Sequence, residues 1–204
     1  LLVSFSFSII YSSAKFFNFT HAIIISLSAY LSYFLIIQIG LLKIVAFPLA
    51  LSISILFGVF TETFIFFKLR KNNHNSFILL LASIGVYVIM QNFISMIWGD
   101  EKRTLRSENV SSGNEILGAY MTDLQIITMI SCVILFFLAV LIIHKTNIGR
   151  KVRAVSSNEE LAGILGINSN EVILLTFVIG SGLAALVGIF VAYDYGIQPT
   201  MGFN

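Results

Sequence analysis

The chain has 204 residues, of which 57% are hydrophobic and only 11% are charged, and its formal net charge is +2. About a quarter of the residues of a typical soluble domain are charged, so this composition excludes a soluble globular protein. It predicts an integral membrane protein, and we expect no nucleic-acid partner. A single cysteine, Cys132, excludes a disulfide within the chain.

Uncharged apolar runs follow one another along the chain, separated by polar stretches. A spanning helix needs about 20 apolar residues, so we expect the first, shorter run to be the cytoplasmic end of a truncated helix. The predicted spans are 1–14 (partial), 16–42, 44–61, 76–98, 124–143 and 172–193. The prediction is an all-α fold, a polytopic transmembrane helix bundle. We expect one domain, residues 1–204, incomplete at both ends as a piece of a longer polypeptide.

The basic residues indicate which side of the membrane each loop faces. Loop 68–75 contains Lys and Arg but no acid, and loop 144–171 is also rich in bases. An even number of spans separates these two loops, so both lie on one side, and the positive-inside rule makes that side the cytoplasm. Loop 99–123 mixes bases with acids and weakens the contrast.

Loop 144–171 contains the one long polar connection that has the pattern of a folded element. Ser157-x-x-Glu160 has the form of a capping box, which predicts a helix start. Gly166 stands where a glycine commonly ends a helix. We therefore predict a cytoplasmic helix of two to three turns between these signals.

The spacing of apolar residues gives this short helix one apolar face. Leu161, Ile164 and Leu165 recur at i, i+3 and i+4. A helix this short is marginal alone in water and needs a surface to lie against. That surface is either the lipid headgroups or a soluble partner, and the pattern alone leaves both open.

Small residues repeat every four positions in the last span, at Gly180, Ala184 and Gly188. Such spacing lets membrane helices approach closely. It predicts helix packing, either within the bundle or across a dimer.

Several kinds of chemistry are absent from the sequence. No phosphate-binding Gly-x-x-x-x-Gly-Lys-Ser/Thr motif occurs, so the chain does not hydrolyse ATP itself. No cluster of His, Cys, Asp or Glu has metal-ligand spacing, and we predict neither enzymatic activity nor a cofactor or metal of the chain's own. The spans are almost free of ionisable groups, which argues against ion-coupled transport. Glu62 and Asp194 fall at span ends, where contact with headgroups is expected.

Three segments, in order along the chain, resemble the permease subunits of ATP-binding-cassette importers for branched-chain amino acids. They are 15–22 (KFFNFTHA) with Ala29-Tyr30, then 148–154 (IGRKVRA) leading to 165–168 (LGIN), then 176–188 with 199–202 (PTMG). Two details depart from the family pattern. Ala22 replaces a glycine, and the usual hydrophobic-Pro ending of the general coupling motif is absent.

The resemblance gives the cytoplasmic helix a role. Importer permeases insert a coupling helix into a groove on the ATPase, and Glu160, Ala162 and Gly166 match the first, third and seventh places of its Glu-Ala-Ala-x-x-x-Gly motif. Its apolar face would bury against the ATPase. The residues expected to couple to the ATPase are Arg153, Glu160, Leu161, Ala162, Ile164, Leu165 and Gly166.

The resemblance also implies the partners and the cargo. It implies uptake of branched-chain or other hydrophobic amino acids across the cytoplasmic (inner) membrane, with ATP bound by separate ATPase subunits. A second permease subunit, identical or different, and an extracytoplasmic solute-binding protein complete the importer. Asn18, Thr20 and His21 are expected either to line the pathway or to cap a helix and bond neighbouring helices.

Two alternatives remain open at the level of sequence. One is a urea- or short-amide-type permease of the same family. The other is a channel-like membrane bundle outside the importer class, whose cytoplasmic helix contacts only lipid.

Overall fold

The computed structural model describes residues 1–72, 75–105, 114–116 and 119–202, and for 114–116, 119–121 and 124 it describes the backbone alone. Parts of loops 68–75 and 99–123 therefore lie outside the described residues.

The described chain is a helical bundle, which confirms the fold class. Its helices are α1 (Leu2–Ala14), α2 (Thr20–Tyr33), α3 (Lys43–Thr61), α4 (Phe67–Lys71), α5 (Ser76–Trp98), α6 (Asp123–Lys145), α7 (Asn147–Ser157), α8 (Glu159–Ile164) and α9 (Ser169–Asp194). Turns of π-helix extend α2 (Phe34–Gln38) and join α3 to α4 (Glu62–Phe66). A short antiparallel ribbon, β1 (Asn114–Ile116) and β2 (Ala119–Met121), lies in the loop before α6 and was not predicted.

Among the described residues, five helical stretches are long and apolar enough to cross a membrane. They are Thr20–Gln38, Lys43–Lys71, Ser76–Trp98, Gln125–Lys145 and Ser169–Asp194. α9 is the central helix and packs on α1, α2 and α3. The large apolar side chains of α3, α5 and α6 are mostly exposed on the outside of the bundle, as hydrocarbon-facing side chains are.

The predicted span 16–42 is not one continuous helix, and this part of the prediction is wrong. α1 ends at Lys15, whose backbone is left-handed with φ 58°. The next four residues are irregular, and α2 begins only at Thr20. Phe16 and Asn18 are nevertheless buried. Irregular backbone inside a membrane is tolerated where protein surrounds it, and here the bundle does so.

α2 begins beside the middle of the central helix α9. α9 has 26 residues, which span about 39 Å at 1.5 Å per residue. Gly180, near the middle of α9, lies against Ser6 and Ile10 of α1. Ser6 in turn contacts His21 in the first turn of α2. The start of α2 is therefore buried about halfway along the central helix.

The residues after α9 turn back into the bundle from the opposite end. Ile197 pairs with Arg103 through two backbone hydrogen bonds of 3.0 and 2.7 Å. Further on, the Gly202 amide donates to Ser26 Oγ of α2 at 3.2 Å, and Gly202 lies against the Ala22 carbonyl. Two irregular segments, 15–19 and 195–202, thus reach the first turns of α2 from opposite ends.

The cytoplasmic loops of the orientation prediction share one end of the bundle. Lys15 Nζ donates to the Ser156 carbonyl of α7 at 2.6 Å. Ala14 and Phe16 pack in one buried cluster with Phe66, next to α4, and with Ile173, next to the α8–α9 connection. The basic residues of α4 and α7 therefore lie at the end where α1 stops.

Candidate functional site: a cavity beside α2 and a short exposed helix

The break before α2 is held by hydrogen bonds between its own polar groups and α5. Asn18 Oδ1 accepts the Thr20 amide at 3.1 Å, as a capping side chain does. The Phe19 amide donates to Ser83 Oγ at 3.1 Å, and Thr20 Oγ1 donates to the Ser83 carbonyl at 3.4 Å. These bonds fix the irregular backbone and set the direction in which α2 leaves it.

His21 is buried and bonded to α1. Its Nε2 lies 2.8 Å from Ser6 Oγ, and Ser6 Oγ lies 2.9 Å from the Val3 carbonyl. Two buried polar atoms here have no hydrogen-bond partner among the described residues, Asn18 Nδ2 and His21 Nδ1. A buried polar atom without a partner is costly, so each such atom needs a physical reason.

A cavity of about 390 Å³ lies beside these two side chains. Asn18 and His21 form its polar wall together with Ser4, while Val3, Phe7, Phe19, Ala22, Ile25 and Gly202 form the rest. A second cavity of about 640 Å³ shares Val3, Ile25 and Gly202 with it and is also lined by Lys102 and Gln198 beyond the far end of α9. The two cavities therefore share part of their walls, and the second one extends toward the far end of α9.

Of the three residues predicted for the pathway, the structure brings two to the cavity. Asn18 and His21 line it, whereas Thr20 is fully buried with its hydroxyl on α5. Sequence reasoning missed the contributions of α1 and of residues 195–202. The alternation of Ser with large apolar residues in α1 was a signal, because it puts polar atoms on a helix inside a membrane.

At the end of the bundle where α1 stops, the polar connection folds as two helices rather than one. α7 ends at Ser157, and Asn158 immediately precedes α8. Asn158 Oδ1 accepts the Leu161 amide at 3.0 Å, so Asn158 is the cap. The predicted capping box of Ser157 and Glu160 is wrong by one residue, because Ser157 is helical and an Asn is an equally good cap.

Gly166 ends α8 in a double hydrogen-bonded turn. Its φ is +78°, a left-handed conformation in which other residues are strained. The Gly166 amide donates to the Gly163 carbonyl, and the Ile167 amide donates to the Ala162 carbonyl, both at 3.0 Å. This is the Schellman arrangement, which fixes the direction of the chain after the helix.

One side of α8 packs on the protein and the other side is bare. Ala162 is buried at 2% exposure in a cluster with Val152, Val155 and Val172. The three residues of the predicted apolar face point away, and Leu161, Ile164 and Leu165 are 57%, 81% and 77% exposed. Glu160, in the first turn, is also exposed.

Arg153 lies on α7, not on α8, and its guanidinium donates to the Ile143 carbonyl near the end of α6. Gly149 lies against the same carbonyl, and any side chain there would overlap it. These contacts set the tight angle between α6 and α7. The structure therefore gives Arg153 a positioning contact within this chain.

α7 connects α8 to the helix that lines the cavity. Besides the bond from Lys15 Nζ, Ser156 Oγ lies 3.3 Å from Ser12 Oγ of α1. α1 also carries Val3, Ser4 and Phe7 of the cavity wall. α7 is therefore in direct contact with the end of the helix that lines the cavity.

The small residues of α9 pack within the bundle. Gly180 meets α1, Gly188 meets Ile25 and Ser28 of α2, and Ala184 is fully buried beside Ile24. Their small size allows the three helices to approach α9 closely.

The sequence led us to expect that Glu62 contacts headgroups, but the structure does not place it there. It is buried at 2% exposure in the π-turn before α4 and forms an ion pair with Arg70. The positive charge of Arg70 thus compensates the buried negative charge of Glu62 within one helical segment.

The comparisons with known proteins agree with this architecture. A family model described as "Branched-chain amino acid transport system / permease component" matches residues 1–204. The high-affinity branched-chain amino acid transport system permease protein BraD of Pseudomonas aeruginosa is 27% identical, over 99% of this chain and 69% of BraD. LivH of Escherichia coli K12, described by the same words, is 29% identical over the same shares of the two chains. No solved structure gives a significant match. The chain therefore belongs to the branched-chain amino acid permease family and is a multi-pass permease subunit of the cytoplasmic (inner) membrane.

Proposed function

We propose that this subunit works in an ATP-binding-cassette importer that moves branched-chain and other hydrophobic amino acids, and that α8 is the helix on which a separate ATPase subunit docks. One observation carries the proposal. α8 is capped at both ends and packed through Ala162, yet it leaves Leu161, Ile164 and Leu165 bare at the cytoplasmic end. An amphipathic helix held in this way fits the groove of a partner protein.

Charge favours a protein partner over lipid as the surface that covers this face. Helices that rest on membranes carry Lys and Arg beside their apolar side chains. α8 has no base and begins with Glu159 and Glu160, both exposed. Anionic headgroups would repel these carboxylates. The bases of this region, Arg150, Lys151 and Arg153, lie on α7 instead.

Contacts between helices supply a route from the ATPase to the substrate. ATP binding would draw the two ATPases together and move α8 with α7. The bond from Ser156 Oγ to Ser12 Oγ and the bond from Lys15 Nζ to the Ser156 carbonyl would transmit that movement to α1. ATP is bound by the partner subunits, and this chain needs no cofactor of its own. A second permease subunit and an external binding protein complete the complex.

The lining of the cavity favours a hydrophobic amino acid over urea or a short amide. Val3, Phe7 and Ile25 contribute an apolar wall that a small polar solute would leave poorly filled.

Crosslinking tests the docking. In the assembled transporter, with Cys132→Ser removing the native thiol, Leu161→Cys should crosslink to cysteines in the ATPase groove, with a yield that changes when ATP is added. Ala162→Cys is the matched control, because that position is buried in the protein and should stay unlinked. Failure of Leu161→Cys to link at any groove position, together with its labelling by lipid-phase probes, would refute the docking role.

A further inference from the structure

We propose that the cavity at the start of α2 is a subsite for the zwitterionic head of an α-amino acid. Asn18 Nδ2 would donate to its carboxylate, and His21 Nδ1 would accept from its ammonium group. The assignment rests on the proposed function for its substrate class, and it adds which atoms of this chain recognise that substrate.

The orientation of the Asn18 amide follows from its neighbour. Asn18 Oδ1 accepts the Thr20 amide at 3.1 Å, and only the oxygen of the side chain can do so. The NH₂ group therefore occupies the other position. Asn18 is 1% exposed, and Nδ2 has no acceptor among the described residues. Asn18 is also one of the residues that line the cavity.

The protonation of His21 follows from counting the protons of Ser6. A hydroxyl has one proton, and Ser6 Oγ lies 2.9 Å from the Val3 carbonyl, which can only accept. Nε2 of a neutral His21 must then be the donor across the 2.8 Å to Ser6 Oγ. Nδ1 is left as an acceptor without a partner among the described residues. The hydrogen-bond network thus assigns the tautomer of His21 that carries its proton on Nε2.

The donor of Asn18 and the acceptor of His21, on two residues that line one cavity, match the two charged groups of an amino acid. The N-terminus of α2, a helix of 14 residues, adds the positive end of its dipole on the side of Asn18. That field favours the carboxylate there, as in transporters whose interrupted helices begin at mid-membrane. No Lys, Arg, Asp or Glu among the described residues lines this cavity, so neutral groups would meet both charges of the substrate.

The remaining wall suits an aliphatic side chain. Val3, Phe7 and Ile25 lie beside the polar pair. The volume of about 390 Å³ falls within the range of small-molecule sites. A branched side chain would cover these three residues while the head group reaches Asn18 and His21.

Photolabelling with a diazirine analogue of leucine tests the subsite directly. The purified permease–ATPase complex, without binding protein, is irradiated with photo-leucine, and the label is mapped by mass spectrometry. We expect label on Val3, Phe7 or Ile25, and competition by leucine. Leucinamide lacks the carboxylate and 4-methylpentanoate lacks the ammonium group, so each should compete about tenfold more weakly, as expected for one lost charge-assisted hydrogen bond. Label elsewhere, or equal competition by leucinamide, would overturn the proposal.

A matched pair of variants separates recognition from structure. Asn18→Asp keeps the oxygen that accepts the Thr20 amide but replaces the donor with a second oxygen, so labelling should fall about tenfold or more. Ser83→Ala removes bonds to the same backbone break without touching the cavity, and should change labelling less than twofold. Unchanged labelling of Asn18→Asp would show that Asn18 is only a cap.

The outcomes distinguish this subsite from the proposed function. Absence of ATP-driven leucine uptake by the unmodified transporter in proteoliposomes would refute the importer of hydrophobic amino acids. Normal uptake without label at the cavity would refute the subsite alone.

Discussion

Two regions of the molecule show opposite arrangements of polar and apolar side chains. At the end of the bundle where α1 stops, α8 exposes the apolar side chains Leu161, Ile164 and Leu165. In the middle of the bundle, the break before α2 buries Asn18 and His21 where the surroundings are apolar. Both arrangements cost free energy in the isolated chain.

The difference between the two regions shows what each is missing. We propose that the α8 face is covered by the apolar groove of a partner protein. We propose that the cavity takes a solute with both a donor and an acceptor. Each arrangement is held by rigid local structure, Asn158 and Gly166 around α8, and Ser6 and Ser83 around the break.

The largest effect is expected from truncating the bare face of α8. The double variant Leu161→Ala, Ile164→Ala should lower ATP-driven leucine uptake about tenfold or more, since truncating apolar anchors costs about 2 kcal/mol or more in protein interfaces. Its apparent melting temperature should stay unchanged, because both side chains are exposed. Ile148→Ala, an exposed apolar truncation on α7, is the control and should retain uptake. Normal uptake by the double variant would remove the basis for a docking face.

A smaller effect is expected from separating α9 from α2 beside the cavity. Gly188→Ala would force a methyl against the Ser28 hydroxyl and the Ile25 carbonyl, at a cost of about 1–3 kcal/mol. The apparent melting temperature of the purified complex should fall. Gly182→Ala is the matched control on the same helix, because its methyl would meet Ile55 Cδ1 at an ordinary 3.4 Å. Equal melting temperatures for the two variants would contradict the close approach of α2 and α9.

The smallest effect concerns the cap of α8. Asn158→Ala should weaken α8 by about 1 kcal/mol, because the Leu161 amide loses its acceptor. Hydrogen exchange of the α8 amides should accelerate about fivefold. Ser157→Ala, at the end of α7, should leave exchange nearly unchanged. A larger effect at Ser157 than at Asn158 would restore the capping box that the sequence suggested.

The apolar spans were predictable because length and charge decide them. The predicted span 76–98 coincides with α5, which begins and ends at the same residues. The apolar face of α8 was also visible in the spacing of Leu161, Ile164 and Leu165. These features depend on residues close together in the chain.

The cavity was not predictable, because it is made by contacts between distant residues. The uncharged run 16–42 did not indicate that the helix begins only at Thr20. Ser6 meets His21, and Gly202 reaches Ser26, only after the helices have packed. The prediction of the α8 cap failed for a local reason. Ser157 and Asn158 are both good capping residues, and α7 extends through Ser157, which leaves Asn158 as the cap.

Accessibility of the cavity tests most directly whether the two regions act together. Ser4→Cys, in a Cys132→Ser background, places a thiol in the cavity wall. Its rate of modification by a membrane-impermeant methanethiosulfonate reagent is measured in the reconstituted transporter with and without ATP. We predict that ATP changes this rate and that the Leu161→Ala, Ile164→Ala variant abolishes the change. An ATP response that persists in this variant would contradict the account, because the signal would then reach the cavity without α8.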